Sequence, residues 1–296
     1  MGRPALQFSD LNLTGSASSV AAHWVASLKQ STRDYTACEF YAGRGFSEVL
    51  KTANYLGAST AIVSAGLGLI PGESKIPSYD LTITEGQNNV LNKLNSTQRT
   101  SKIWWQALHK ELGVSAPFEK MLNEHPKKII LIALPSTYLA MVEHELLSLS
   151  PSLMGRLRIF TSELGQRSLP IELQKQVMPY DERLETTTHT GTRSDFPQRA
   201  LRHFVMQLHA ESLSTCEASA SVTESLKNQL RRVVPVRVKK TDQEIIDCLC
   251  TNWDAYCGAS GRLLRCLRDD LGVACEQSRF RMLWKQAQEI KIRRGK

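Results

Sequence analysis

The chain has 296 residues, of which 42% are hydrophobic and 22% charged, and this composition excludes a disordered or collagen-like protein. The formal net charge is +8, and residues 231–296 hold 15 Lys or Arg against 8 Asp or Glu, so the first 230 residues are nearly neutral. Such an asymmetry predicts a body with one role and a C-terminal part that binds a polyanion, usually nucleic acid.

No segment approaches the ~20 consecutive apolar residues of a membrane span, and the first residues have no apolar signal core. We therefore expect a cytoplasmic protein with no membrane partner and with reduced cysteines. Five of its seven cysteines lie near the C-terminus, but their spacing matches no standard zinc motif, so we predict neither a metal nor a cofactor. These five are Cys248, Cys250, Cys257, Cys266 and Cys275.

Helical periodicity alternates with short apolar runs along the first part of the chain. Helices are predicted over residues 18–29 and 46–56 and, after a cap at Ser136 or Thr137, up to about residue 147. Strands are predicted over residues 35–41, 59–65, 128–134 and 156–161. An insertion at 66–127 separates the second and third strands and carries Trp104 and Trp105 on helices. This alternation predicts βαβ units, and hence an α/β fold whose mostly parallel sheet forms three layers with helices on both faces.

A polar, turn-rich stretch at 178–195 precedes a helix predicted over 196–211. The Ser/Ala-rich stretch at 213–221 and the basic stretch at 231–240 are interpreted as connections. We place a domain boundary near residue 235, which gives an α/β domain at 1–235 and a basic helical domain at 236–296.

The C-terminal domain is predicted to be a small all-α unit. A capping box of Thr241 and Glu244 starts its first helix, which runs to residue 256. A second helix over 262–271, a turn containing Gly272 and a third helix from Glu276 are typical of a helix-turn-helix.

Several polar side chains of this domain are candidates for contact with DNA. The second helix carries a stripe of Leu263, Leu264, Leu267 and Leu271 and an opposite stripe of Arg262, Arg265 and Arg268. In the third helix, Phe280, Leu283, Trp284 and Ala287 would face the core and leave Ser278, Arg281 and Lys285 outward. Double-stranded DNA is preferred over RNA because a helix fits the major groove. The alternative is a small bundle that packs on the body or on another protein.

The most specific segment of the body is Ser64–Thr84. Here a strand ends in a glycine turn, where Gly66 and Gly68 permit close approach of a ligand, and Tyr79 and Asp80 follow on a loop. The segment matches neither the P-loop nor the dinucleotide fingerprint, so it gives no support to nucleotide-triphosphate or dinucleotide chemistry.

The runs FYAGRGF, AIVSAGLGLIP, IPSYDLTI and KKIILIALPSTYL resemble the bacterial domain of the peroxide-stress YaaA proteins. That domain is in turn similar to the uracil-DNA glycosylase-like modules found beside tRNA-guanine transglycosylase and archaeosine enzymes. The resemblance covers residues 35–205, and its specific part is Ser64–Asp80. It implies an anti-phage DNA glycosylase that removes glucosylated 5-hydroxymethylcytosine from phage DNA and leaves an abasic site.

A glycosylase flips its target base into a pocket and stabilises a cationic sugar while a water attacks. For this chemistry Tyr79 would stack on the base, and Asp80 would orient the water or stabilise the sugar. The alternatives are that Tyr79 anchors its loop and Asp80 braces it. The predicted substrate-binding residues are Arg44, Ser64, Gly66, Gly68, Ser136, Thr137, Tyr138 and Tyr180, with a plain helix cap as the alternative for Ser136 or Thr137.

The polar stretch repeats the Pro-Tyr-Asp motif at 179–181, and Asp181 is the second candidate for the catalytic carboxylate. Arg183 and Arg193 would clamp DNA. The alternative is a solvated loop followed by a helix with Arg199 and Arg202 on its exposed face. His189 and His203 receive no role beyond surface and core.

These observations predict a hydrolase of N-glycosidic bonds in DNA. A nucleobase or deoxyribosyl transferase and a non-enzymatic DNA-binding stress-response protein are the rival interpretations. The oligomeric state is not predicted.

Overall fold

A computed structural model of the chain describes residues 6–8, 11, 13–231 and 236–294. The chain divides into two compact units, Met1–Arg232 and Val233–Lys296. The boundary predicted at residue 235 and the last two residues, 295–296, lie outside the described parts of the chain. In those parts, no helix combines the length and the apolar character that crossing a membrane requires.

The first unit is largely helical. Its helices are α1 (Ala17–Gln30), α2 (Ala37–Phe40), α3 (Arg44–Leu56), α4 (Ser101–Leu112), α5 (Pro117–Glu124), α6 (Ser136–Leu147), α7 (Pro151–Met154), α8 (Glu163–Ser168), α9 (Ile171–Gln174), α10 (Phe196–Met206) and α11 (Thr215–Leu226). Its strands are β1 (Tyr35–Thr36), β2 (Ala61–Ser64), β3 (Gly68–Pro71), β4 (Lys75–Ile76), β5 (Ile130–Ala133) and β6 (Leu157–Phe160).

The predicted three-layer parallel sheet is wrong. Within the described residues of the first unit the strands form two-stranded pairs, in which β1 with β4 and β2 with β3 are antiparallel and β5 with β6 is parallel. An isolated parallel bridge joins Val177 to Ile159 of β6. The body is therefore a helical unit with small sheets and not a doubly wound α/β sheet.

The antiparallel partner of β2 explains this difference. After Ser64 the backbone turns sharply, and Gly68 takes the left-handed conformation at φ +76°. The chain then returns as β3, which pairs Ser64 with Gly68 and Ala61 with Pro71. The glycine turn, predicted to end a parallel strand, is the turn of a β-hairpin.

The strand predicted over residues 35–41 is also largely wrong. Only Tyr35–Thr36 is extended, and helix α2 follows at once. Thr36 and Glu39 form a capping box, in which the Glu39 carboxylate accepts from the Thr36 amide at 2.7 Å. This local bonding favours a helical turn over continued extension.

Two large buried clusters and a small one, of Ala37, Ile62 and Ile76, make the core of the first unit. Trp24 of α1 and Trp104 of α4 are fully buried at the centre of the larger cluster, and Phe160 and Phe204 lie in the second. Helix α10 packs against α3 and β5, while α4 packs against α1 and α6.

The stretch 213–221 was predicted to be a connection, and this prediction is wrong. It lies mostly in helix α11, which Ser214 caps together with Glu217. Ala218, Val222 and Leu226 are fully buried in the second cluster, at a spacing of four residues. Three apolar residues on one helix face form this contact.

The second unit contains α12 (Asp242–Asn252), α13 (Ser260–Arg265) and α14 (Gln277–Arg294), with a π-helical turn at Cys266–Asp270. It also holds two strands that the all-α prediction missed, β7 (Val238–Lys239) and β8 (Val273–Ala274), which pair in parallel. Its core includes Leu263, Leu267, Phe280 and Leu283, whereas Leu271, predicted to belong to the apolar stripe, is 44% exposed.

Candidate functional site

Three hydroxyl groups meet in the first unit, where α2, β2 and the loop after β4 come together. The Oη atom of Tyr79 lies 2.5 Å from Ser64 Oγ and in hydrogen-bond contact with Tyr41 Oη. The amides of Gly66 and Leu67 donate to Ser64 Oγ at 3.1 and 3.0 Å. We call Tyr41, Ser64 and Tyr79 the hydroxyl cluster.

Tyr79 is the inner member of this cluster. Its ring stacks on Phe40 with centroids 5.5 Å apart and meets Trp24 edge-on at 5.8 Å. Only 7% of the residue is exposed, and burial raises the pKa of its phenol well above the ordinary value. These contacts favour the role of a packed anchor over that of a platform for a flipped base.

Two buried tryptophans and the ring of Tyr79 hold the glycine turn in place. The indole of Trp24 donates to the Gly66 carbonyl and that of Trp104 donates to the Ala65 carbonyl, both at 2.7 Å. A Cβ atom on Gly66 would lie 2.6 Å from the Tyr79 ring, so the absence of a side chain there permits ring packing. The Gly66 amide that was predicted to bind a ligand is already bonded to Ser64 Oγ.

Asp80 braces the start of the chain. Its Oδ1 atom accepts from the Phe8 amide at 2.7 Å, and its Oδ2 atom accepts from the Asn88 side chain at 3.0 Å. The residue is half-buried. Each oxygen has room for one further hydrogen bond, because a carboxylate offers about four acceptor positions.

Ser136, Thr137 and Tyr138 form the first turn of α6, but neither Ser136 nor Thr137 caps it. Pro135 occupies the capping position, and no side chain accepts from the first-turn amides. Ser136 is one position and Thr137 two positions too late to cap, since a cap residue must precede the helix. Ser136 and Tyr138 are half-buried and Thr137 is exposed.

Arg44 starts helix α3 after Gly43 and is exposed. Its guanidinium donates to the Thr190 carbonyl at 2.6 Å and lies 3.4 Å from the Asp195 carboxylate. Part of its charge is thereby compensated within the body.

Asp181 is held by two arginines. Its carboxylate accepts from Arg183 Nε at 2.9 Å and from Arg231 at 3.1 Å, and Arg183 also donates to the Leu226 carbonyl. Burial raises the pKa of Asp181, but the hydrogen bonds and charges of the arginines outweigh it and leave this pKa below its ordinary value. Asp181 and Arg183 therefore brace one another, whereas Arg193 is exposed.

The stretch 178–195 is a packed loop built around Arg199, so the solvated-loop alternative is wrong for that residue. The Arg199 side chain is only 2% exposed and pairs with Glu185 at 2.7 Å and Asp195 at 2.8 Å. It also donates to the carbonyls of His189 and Thr192. Arg202, by contrast, is half-exposed and pairs with Glu48 at 2.6 Å.

Tyr180 is buried beneath the same loop. Its hydroxyl lies 2.8 Å from His203 Nδ1, and the ring of His203 meets that of His189 edge-on at 5.2 Å. Burial, with a smaller contribution from His189, lowers the pKa of His203 to about 4. A fully buried Tyr180 is a core residue and cannot reach a ligand without opening the loop.

In the second unit, Arg262, Arg265, Ser278, Arg281 and Lys285 are all exposed. Ser278, Arg281 and Lys285 follow one another at three- and four-residue steps and therefore share one face of α14. The Ser278 hydroxyl is bonded to the Glu276 carboxylate, which also accepts the Ser278 and Arg279 amides at the start of the helix.

Tyr41 is the residue that sequence reasoning missed. Its position just before the Gly-Arg-Gly turn was visible, but it was assigned to the end of a strand. The structure places it at the C-terminal end of α2, in contact with Tyr79.

No cluster of three or more His, Cys, Asp or Glu side chains suited to a metal ion occurs in the described parts of the chain. Comparisons with protein-family models, with curated proteins and with solved structures found no match for this chain.

Proposed function

We propose that the protein binds double-stranded DNA through its second unit and hydrolyses the N-glycosidic bond of a modified base with its first. One observation carries the DNA-binding part: six exposed cations of the second unit have no ion-pair partner among the described residues. They are Lys239, Arg262, Arg265, Arg281, Lys285 and Arg293.

The pairing of the other cations in this unit makes the observation informative. Carboxylates neutralise Arg237 at 2.8 Å, Arg279 at 2.5 Å and Lys291 at 2.7 Å. The unit therefore has acids to pair with cations, yet leaves one face of α14 and the exposed side of α13 unpaired. Unpaired cations on a helix that follows a tight turn fit the phosphates and groove of a duplex.

The left-handed Gly272, at φ +62°, makes the turn between the π-helical segment and α14. Arg268 holds this turn by donating to the Cys275 carbonyl at 2.7 Å. The order helix, glycine turn, helix is that of helix-turn-helix proteins, which place the second helix in the major groove.

The excision part rests on the resemblance carried by Ser64–Asp80. In this proposal Asp80 orients the attacking water, since both of its oxygens retain acceptor capacity. Asp181 is the weaker candidate because two arginines already occupy it. The substrate implied by the resemblance is glucosylated 5-hydroxymethylcytosine in phage DNA, met in the cytoplasm, where the free cysteines stay reduced.

A salt titration tests the DNA-binding part. We expect a double variant, Arg281→Gln with Lys285→Gln, to bind duplex DNA more weakly than the parent chain. The slope of log K against log salt should become less negative by about 2, since each phosphate contact contributes about 0.9. Lys110→Gln with Lys120→Gln removes the same charge from exposed positions of the first unit and serves as the control. Equal slopes in the two double variants would contradict the assigned interface.

An excision assay tests the chemistry. The protein is incubated with duplex DNA carrying glucosylated hydroxymethylcytosine and with unmodified DNA, and alkali-labile sites and released base are measured. Absence of both products, with DNA binding intact, would refute the enzyme and favour the non-enzymatic DNA-binding interpretation. Exchange of labelled free base into DNA would favour the transferase.

The role of Asp80 is tested by Asp80→Asn in the same assay. We expect base release to fall by at least about a hundredfold, as for other positioned acid–base groups. Thermal unfolding controls for the loss of its hydrogen bond with Phe8. A folded variant that keeps full activity would remove Asp80 from the mechanism.

A further inference from the structure

The hydroxyl cluster has a direction that follows from counting its donors and acceptors. A serine hydroxyl has one proton and two lone pairs. Both lone pairs of Ser64 Oγ are taken by the amides of Gly66 and Leu67. Its proton must therefore be donated to a tyrosine hydroxyl of the cluster, either Tyr79 Oη, 2.5 Å away, or Tyr41, which also bonds Ser64.

The next step is fixed in the same way. Tyr79 is buried, and Tyr41 Oη is the further polar partner of its hydroxyl in the described structure. The Tyr79 proton is therefore donated to Tyr41. Tyr41 receives a hydrogen bond and keeps its own proton free, because the lone pairs of Ser64 Oγ, its other neighbour in the cluster, are taken by the two amides. Because each hydrogen bond polarises the next, Tyr41 is a stronger donor than an isolated phenol.

The surroundings of Tyr41 suit a flat ligand. Phe40 meets its ring edge-on at 5.3 Å and Phe46 lies tilted at 6.0 Å. Tyr41, Phe40, Phe46 and Tyr138 are all half-buried. Partly exposed aromatic rings are the usual stacking partners of unpaired bases.

The charge nearby argues for a neutral ligand. Arg44, three residues after Tyr41, has its guanidinium engaged by the Thr190 carbonyl and by Asp195. A phosphate at Tyr41 would find little uncompensated positive charge, whereas a base carbonyl needs only a donor.

We propose that Tyr41 is the hydrogen-bond donor of a nucleobase-binding site, in which its hydroxyl donates to a carbonyl oxygen of the base beside the rings of Phe40 and Phe46. Tyr79 and Ser64 act behind it as positioning residues. The inference deepens the proposed function, because a flipped base in DNA would bring such a carbonyl to this surface.

The test uses the full chain with 13C at the Cζ carbon of tyrosine. Deoxycytidine, thymidine and inorganic phosphate are titrated separately while the tyrosine signals are recorded by NMR. The Tyr41→Phe spectrum identifies the Tyr41 signal. We expect both nucleosides to shift this signal and phosphate to leave it unchanged.

Variants then measure the hydrogen bond. The dissociation constant for deoxycytidine should rise about threefold to tenfold in Tyr41→Phe, which removes one neutral donor. Tyr79→Phe keeps the ring but cuts the chain of hydrogen bonds, so it should have a smaller effect. Tyr55→Phe, an exposed tyrosine on α3, is the matched control and should change nothing.

A Tyr41 signal that no nucleoside moves, a shift caused by phosphate alone, or an unchanged dissociation constant in Tyr41→Phe would each overturn the inference. None of these measurements requires excision. A chain that binds deoxycytidine at Tyr41 and releases no base would refute the proposed enzyme and leave this site standing. Excision without any nucleoside effect at Tyr41 would do the reverse.

Discussion

Arg199 offers the sharpest test of how the polar loop at 178–195 is held. Its guanidinium is almost completely buried and bonds to two carboxylates, Glu185 and Asp195, and to two backbone carbonyls. Replacing it by Ala would leave a cavity, remove the ion-pair partner of Glu185 and leave Asp195 with only the exposed Arg44 at 3.4 Å; the Asp195 side chain is 5% exposed and that of Glu185 14%.

Removal of one partner from a buried ion pair costs about 3–5 kcal/mol, because the remaining charge stays desolvated. We expect Arg199→Ala to lose a free energy of unfolding in this range. Arg199→Lys should lose less, because an ammonium keeps the charge but has three donors where the guanidinium makes contacts with four residues. Urea unfolding followed by circular dichroism provides the measurement.

Arg167→Ala is the matched control. Arg167 also pairs with an acid four residues away, Glu163, but its side chain is 73% exposed. We expect it to lose less than about 0.5 kcal/mol, as exposed pairs do.

The pH dependence gives a second reading of the same pair. Burial raises the pKa of Asp195, but the hydrogen bond and charge of Arg199, with two further hydrogen bonds from Thr192, outweigh this and hold the pKa below its ordinary value. A carboxyl with a depressed folded pKa stabilises the protein at neutral pH and loses that contribution as the pH falls through its folded pKa. Arg199→Ala should reduce this acid-side dependence. A loss below about 1 kcal/mol with an unchanged acid limb would refute the reasoning.

Three further changes should have measurable effects. Burial lowers the pKa of His203 to about 4, so as the pH falls the unfolded chain binds this proton before the folded chain does. The free energy of unfolding should therefore fall between about pH 6.5 and pH 4, and His203→Gln should flatten this fall. An identical pH profile in the variant would contradict the prediction. Gly68→Ala should lower the melting temperature, because it forces a side chain onto φ +76° with its Cβ 2.5 Å from His109 Nε2; an unchanged melting temperature would show that the hairpin yields. Gly258→Ala should alter the tryptophan fluorescence of the second unit, since its Cβ would press on Trp253; an unaltered spectrum would count against this contact.

The sequence predicted most of the long helices because their apolar spacing and caps are local signals. Helix α12 begins after the expected capping box of Thr241 and Glu244, and α6 ends at Leu147 as predicted, although it begins at Ser136 instead of after a Ser136 or Thr137 cap. The sheet could not be predicted in the same way. Apolar runs of four residues, as in β2 and β5, show that a strand is present but not which strand pairs with it.

The exposure of charged side chains was predictable where no other segment of the chain packs over them. Arg281 and Lys285 are exposed as their helical spacing implies. Arg199 is buried because a loop more than ten residues long folds over it. The sequence of α10 alone contains no signal that predicts this burial. The hydroxyl cluster was missed for a related reason: Tyr41 and Tyr79 are 38 residues apart and meet only through packing.

The pairing of β7 with β8 determines where the C-terminal unit can be cut free. Arg237, just before β7, donates to the Arg268 carbonyl at 2.9 Å and pairs with Asp269, so residues ahead of the first helix complete the turn that leads to α14. A fragment that began at the capping box of α12 would keep all three helices and lose the edge that positions the third. Any fragment made to test the proposed DNA binding of this unit should therefore begin before Arg237.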